Sequence, residues 1–299
     1  MTMTPKLSLG PVLFFWSRET LFDFYDQAAE MPVDIIYLGE TVCSKRRSLG
    51  SNDWIELASR LSEQSDKEIV LSTLALIEAE SELKTLRRLC DNGRFTIEAN
   101  DIGAVQILSK KGIPFVTGPS INIYNSASLD LLASKGLKRW VLPIELSKQT
   151  LGQIQKHRPE GVETEVFCYG RMPLTLSARC FTARSHNLPK DDCQYKCIDY
   201  PDGRILSTQE QQPFLALNGI QTVSAKTCNL LQEIPLLKEL RVDILRISPQ
   251  SLNTGKIVDA FHRALHNEET SDLGQYMPLG ACNGYWHGID GQTEFNSPH

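Results

Sequence analysis

The chain has 299 residues, of which 41% are hydrophobic, enough to bury a full core without covalent staples. Its net charge is −5, with 31 basic and 36 acidic residues interspersed, which excludes an electrostatic nucleic-acid binder. No apolar run approaches the ~20 residues of a membrane-spanning helix.

The N-terminal stretch "MTMTPKLSLGPVLFFW" has one upstream Lys and a short apolar run, unlike a secretory signal peptide. The expected location is therefore cytoplasmic, where eight cysteines stay reduced and clustered ones point to metal or redox chemistry. Apolar runs at 12–16, 33–38, 69–74, 95–98, 114–117, 140–143 and 162–168 read as strands. Amphipathic segments lie between them, with apolar residues at spacings of three and four, as in Ile55, Leu57, Ala58 and Leu61. Gly93, Gly112 and Gly136 stand where helix C-termini favour glycine. The basic run "SKRRS" (44–48) reads as a solvated loop.

A late unit, "VDILRISPQS" followed by the helical "GKIVDAFHRAL", completes eight strand–helix repeats. Such alternation implies parallel strands with helical crossovers. The expected fold is an α/β, TIM-like (β/α)8 barrel with a Cys-rich insertion before the last strand; a doubly wound open sheet is the alternative. The expected organisation is one domain over 1–299, an insertion at 170–230 and a C-terminal tail at 267–299. The insertion carries a hairpin-like pair, "GRILSTQEQ" and "PFLALNGIQTVS".

Within the insertion, "RCFTARSHNLPKDDCQYKC" holds Cys180, Cys193 and Cys197, separated by twelve and then three residues. Cys43 follows the second strand, in "YLGETVCSKRR". In a parallel barrel the loops after all strands converge on one face, so topology brings these four thiols together. Four thiolates suit structural zinc or an iron–sulfur cluster. Wide spacing without a C-x2-C knuckle fits the larger cluster better; zinc and unrelated thiols stay open as readings. His186 reads as a surface residue. Cys90, Cys168 and Cys228 read as small core hydrophobes, the last in a helical "AKTCNLL", and Cys282 as outside the site.

Strand ends also supply Glu40, Glu98, Asn100, Asn122, Asn125 and Glu145, with Arg171 and Arg179 near the insertion. These are candidates for substrate binding or acid–base work, or for helix caps. Asp53 and Ser126 read as caps. No nucleophile elbow, zincin motif, P-loop or dinucleotide fingerprint is present.

The stretch "EVFCYGRMPLTLSARCFTARS" (165–185) resembles the signature of the collagenase-like peptidase family U32. Glu165, Phe167, Gly170, Ser177, Arg179 and Cys180 match it, and "DIIYLGE", "FLALNGIQTVSA" and "CNGYWHG" support it. Pro173 stands where most of the family has a first signature cysteine. With Cys43 as replacement, the pattern resembles a branch that binds a 4Fe-4S cluster, which implies Cys43, Cys180, Cys193 and Cys197 as cofactor and metal ligands. That resemblance implies an iron–sulfur subunit of an oxygen-independent hydroxylase acting on the aromatic ring in anaerobic ubiquinone biosynthesis. The implied partners are UbiU, as heterodimer, and the lipid-carrier protein UbiT. Ubiquinone precursors and prephenate, the latter as oxygen donor, are the implied small molecules. The alternatives are a zinc- or cluster-stabilised U32-type peptidase and a non-catalytic scaffold for the partner.

Overall fold

Eight parallel strands close into a ring in the computed structural model, which describes residues 4–295. In chain order they are β1 (Lys6–Leu9), β2 (Ile35–Leu38), β3 (Glu68–Ser72), β4 (Thr96–Ala99), β5 (Phe115–Thr117), β6 (Leu137–Val141) and β7 (Glu163–Leu176). After an excursion come β8 (Arg204–Ser207), β9 (Pro213–Asn218), β10 (Gln221–Asn229) and β11 (Ile244–Ile247). The barrel strand β11 pairs in parallel with both β7 and β1, and that closes the ring.

The crossovers are the helices α1 (Arg18–Glu30), α2 (Ser51–Gln64), α3 (Glu80–Cys90), α4 (Ile102–Lys110), α5 (Ser126–Ala133) and α6 (Lys148–Gln155). Each buries one stripe against the strands. On α1 it is Leu21, Phe24, Tyr25 and Ala28, at the three-and-four spacing of one helical face. The Ser17 side chain accepts from Thr20 N at 3.1 Å and starts that helix. Gly93, Gly112 and Gly136 have the positive φ expected of C-terminal stops.

Side chains alternate across each barrel strand. Ile36, Leu38, Ile69, Leu71, Leu245 and Ile247 join the main core, while Ile35, Tyr37, Val70, Val116 and Ile244 form a second, separate cluster. Two residues further along the strands, the second set gives way to Ser72 and Arg246. Together with Glu98 and Glu165 they form a buried polar layer directly above an apolar one.

Three expectations are corrected here. The first strand is Lys6–Leu9 and not residues 12–16. Pro11 has no N–H to give to a ladder, and Val12, Phe14 and Trp16 are instead buried in the loop that follows. Cys228 lies in strand β10 rather than in a helix. The helix α5 is capped by Asn125, whose side chain accepts from Ser128 N at 2.9 Å, so Ser126 is its first residue. Asp53 sits within the first turn of α2, taking the Gly50 N–H at 2.7 Å and pairing with Arg18 at 2.9 Å.

The fourteen-residue β7 does two jobs. Its first half is a barrel strand. Its second half continues past the barrel rim and pairs antiparallel with β10, which in turn pairs with β9, and β9 with β8. The hairpin expected from sequence is thus one part of a small antiparallel sheet at the strand C-termini. Between β7 and β8 lies the cysteine-bearing segment, with one short helix, α7 (Phe181–Ser185).

Candidate thiol-lined site and barrel mouth

Cys43, Cys180, Cys193 and Cys197 line one pocket, together with Lys45, Arg46, Thr182 and Gly219. Three local devices bring them there. Behind β2, Gly39 takes φ +144°, and a Cβ at that point would lie 2.3 Å from the Ser72 carbonyl oxygen. Only glycine lets the chain turn so closely over β3 before presenting Cys43. Glu40 then accepts from Val42 N at 2.8 Å and Cys43 N at 3.0 Å, which fixes the loop backbone. Between Cys193 and Cys197, Gln194 and Tyr195 both adopt left-handed backbone, φ 49° and 52°. The three-residue spacer therefore curls tightly and turns both sulfurs to the same side.

Arg46 is the hub of this region. Its guanidinium donates to Leu13 O at 2.9 Å and to Asn218 O at 2.8 Å, and its carboxylate partner Glu40 is 3.6 Å away. Asn218, fully buried, donates to Cys197 O at 2.9 Å and Tyr200 O at 2.8 Å, and accepts from Phe15 N at 3.0 Å. One amide thus pins the cysteine segment to the barrel. Gly219 N donates to Thr182 Oγ1 at 2.9 Å, tying the β9–β10 turn to α7. Lys45 donates to Lys190 O at 3.0 Å and pairs with Asp191 at 2.7 Å, joining the Cys43 loop to the Cys193 loop. "SKRRS" is therefore not simply a solvated loop: Arg47 is exposed, but Arg46 is 4% exposed.

Burial favours protonated thiols in this pocket, and positive charge and N–H donors work against it. Burial pushes the Cys197 thiol up to about 11, and burial likewise raises Cys43; Arg46 opposes both shifts. Ala183 N donates to Cys180 Sγ at 3.4 Å. A positive guanidinium and N–H donors aimed at sulfur stabilise thiolates. Four cysteine sulfurs lining one pocket are the donor type that a cluster takes. Among the described residues no three His, Cys, Asp or Glu side chains close on a point suited to a single ion. His186 does not line the pocket; its Nε2 lies 3.1 Å from Tyr200 Oη.

The other four cysteines stand apart. Cys228 and Cys282 are register partners on β10 and β12 (Ala281–Cys282), Cys168 is fully buried in β7, and Cys90 is buried on α3.

A second, larger cavity opens at the barrel mouth. Glu98, Asn100, Asn122 and Glu145 line it, as the strand-end reading anticipated, with Arg246, Thr41 and Gln221, which that reading passed over. Arg171 and Arg179 line neither cavity, and Glu40 and Asn125 serve as backbone caps. Pro173 faces the barrel mouth and not the thiol pocket.

The fold and site together define a class: a closed parallel (β/α)8 barrel with a thiol pocket beside its mouth. The profile for "Peptidase family U32" matches residues 21–275, and the chain belongs to that family. Similar solved structures include a U32 peptidase at 10% identity and TM-score 0.46, covering 84% of this chain and 94% of that one. Orotidine 5′-phosphate decarboxylase from Pyrococcus horikoshii is similar at 9% identity and TM-score 0.44, over 86% and 99% of the two chains. Dihydropteroate synthase from Stenotrophomonas maltophilia is similar at 13% identity and TM-score 0.45, over 90% and 95%. Among the described residues no helix is long and apolar enough to cross a membrane.

Proposed function

We propose that the chain is a UbiV-type subunit of an oxygen-independent hydroxylase, holding a 4Fe-4S cluster through Cys43, Cys180, Cys193 and Cys197 and acting with UbiU on ubiquinone precursors. The supporting observation is that four cysteines from distant parts of the chain line one pocket, under a buried arginine. A cluster bound there supplies one-electron chemistry. Four thiolates satisfy all four of its irons, which favours an electron-transfer or structural role here and leaves ring chemistry to the partner. Arg46 would offset the negative charge of the thiolates, and the Lys45–Asp191 pair would close one side of the pocket. UbiT as lipid carrier, prephenate as oxygen donor and a cytoplasmic location belong to the same reading.

No histidine lines either cavity among the described residues, so the peptidase reading lacks the usual general base at both. The test is genetic and chemical. A strain lacking this protein, grown without oxygen, should accumulate ubiquinone precursors short of ring hydroxyls, and the wild-type chain but not Cys193→Ala should restore them. Normal anaerobic ubiquinone in the deletion strain would refute the proposal.

A further inference from the structure

Arg46 is the most enclosed charge beside the thiol pocket, and one of its donors is unspent. Its side chain is 2% exposed. Nη1 donates to Leu13 O at 2.9 Å and faces Glu40 Oε1 at 3.6 Å. Nη2 donates to Asn218 O at 2.8 Å and to Asn218 Oδ1 at 2.5 Å. Nε is buried as well and has no partner. A buried donor left unmet costs about 1–3 kcal/mol, and more on a charged group, so this position calls for an acceptor.

Which way Nε faces follows from the rigid, planar fork, in which Nε–H and one Nη2 hydrogen share an edge. That edge looks toward Asn218 and Gly219: a Cβ on Gly219 would lie 3.1 Å from Nη2 and 3.6 Å from Nε. Gly219 and Arg46 both line the thiol pocket, and the missing side chain leaves the edge open to it. The opposite edge, with Nη1, turns to Leu13 and Glu40. The acceptors gathered in the pocket are sulfurs, and Cys180 Sγ already takes the Ala183 N–H at 3.4 Å. The lysines there are spent elsewhere: Lys45 pairs with Asp191 at 2.7 Å, and Lys196 lies 3.9 Å from Asp199.

We infer that Arg46 sets the potential of a cluster held by the four cysteines: its Nε–H donates to sulfur in the pocket, and its fixed charge favours the reduced state. Hydrogen bonds to sulfur and local charge are the levers a protein has on such a potential. One electron from an external reductant makes the bound cluster more negative by one charge, with no proton moved and no bond broken. Leu13 O and Asn218 hold the guanidinium still, so its charge stays in place in both states. This inference rests on the cluster reading above.

The test uses the full chain purified without oxygen, with arginine labelled by 15N at Nε alone, reduced with dithionite and read by pulsed electron paramagnetic resonance. Wild type should show a 15N coupling, and Arg46→Lys should lose it. In potentiometry Arg46→Lys should disfavour reduction about ten-fold, a potential lower by about 59 mV for one electron. Lys45→Met removes a more exposed and already paired charge and should shift the potential less. Gly219→Ala sets a methyl against the Nε edge, leaves the charge in place and should weaken the coupling; it decides the matter if Arg46→Lys does not fold. No arginine coupling in iron-loaded wild type, an undiminished coupling in iron-loaded Arg46→Lys or Gly219→Ala, or a larger shift from Lys45→Met would each overturn the inference and leave the cluster proposal standing. Wild-type protein without iron would overturn both.

Discussion

The eight cysteines divide into two groups that differ in almost every physical respect except residue type. Cys43, Cys180 and Cys193 sit on loops and are partly exposed, Cys197 sits in a single 3-10 turn, and all four share a pocket with Arg46, with Ala183 N donating to Cys180. Cys90, Cys168, Cys228 and Cys282 sit on strands and a helix, fully enclosed. Burial is the leading cause of the raised thiols at all of these latter four, as it is at Cys43 and Cys197, but only the loop group has the buried Arg46 guanidinium opposing it. The difference is what makes a ligand. A cysteine held by regular structure in apolar surroundings packs as a small hydrophobe. One held by turns with positive charge nearby is arranged to lose its proton to a metal.

The sharpest way to break this comparison is to exchange one member from each group. Cys193→Ala should cost the protein essentially all its iron, whereas Cys228→Ala should keep it and lose about 1–2 kcal/mol of stability through a small cavity. Equal loss of iron in the two would erase the distinction. Next in size is the buried ion-pair layer that supports the barrel mouth. Burial works to raise the Glu165 carboxyl, but Arg246 and Arg139 outweigh it and hold it below the ordinary carboxylate range. A lowered folded value means the unfolded chain binds the extra proton. This stability is therefore present above the unfolded carboxylate value of about 4.3 and lost as pH falls. Glu165→Gln should cost about 3–5 kcal/mol near neutral pH in urea unfolding, and the variant's stability should fall less steeply than wild type below about pH 4. Parallel acid-limb slopes would show that Glu165 is not the group responsible.

Smaller effects probe the frame of the thiol pocket. Asn218→Ala removes both clamps on the cysteine segment, and about 2 kcal/mol should go with them. Its signature is selective: hydrogen exchange should quicken in residues 180–200 while the barrel strands stay protected. Smallest of all, brief alkylation of metal-free protein should label Cys43, Cys180 and Cys193 before Cys90, Cys168, Cys228 and Cys282, read by peptide mass spectrometry. Label on the second group first would contradict the burial difference.

The eight-fold repeat of strand and helix was legible because hydrophobic periodicity is local and the crossovers from β1 to β7 are short. The first strand was misplaced for a related reason. Residues 12–16 are more apolar than Lys6–Leu9, yet their apolar side chains are buried in a loop, and apolarity alone cannot separate that from a strand. Cys228 was misread because β10 has its wet face covered by other elements, so alternation fails there. The thiol set was legible through topology, since barrel strands deliver their loops to one face whatever their distance in sequence. Arg46, Asn218 and Arg246 were not. Their importance comes from burial and from partners up to 203 residues away, as with Asn218 and Phe15, and no local pattern records that. An arginine in a basic run gives no sign of which guanidinium turns inward.

The central claim is that the loop cysteines act as one ligand set, and metal content tests it most directly. Protein purified without oxygen should be brown, absorb broadly near about 400 nm and carry roughly four irons and four acid-labile sulfides per chain. Each of Cys43→Ala, Cys180→Ala, Cys193→Ala and Cys197→Ala should abolish or sharply reduce this, and Cys90→Ala should not. A colourless chain carrying one zinc, or full iron retained in all four loop variants, would contradict it.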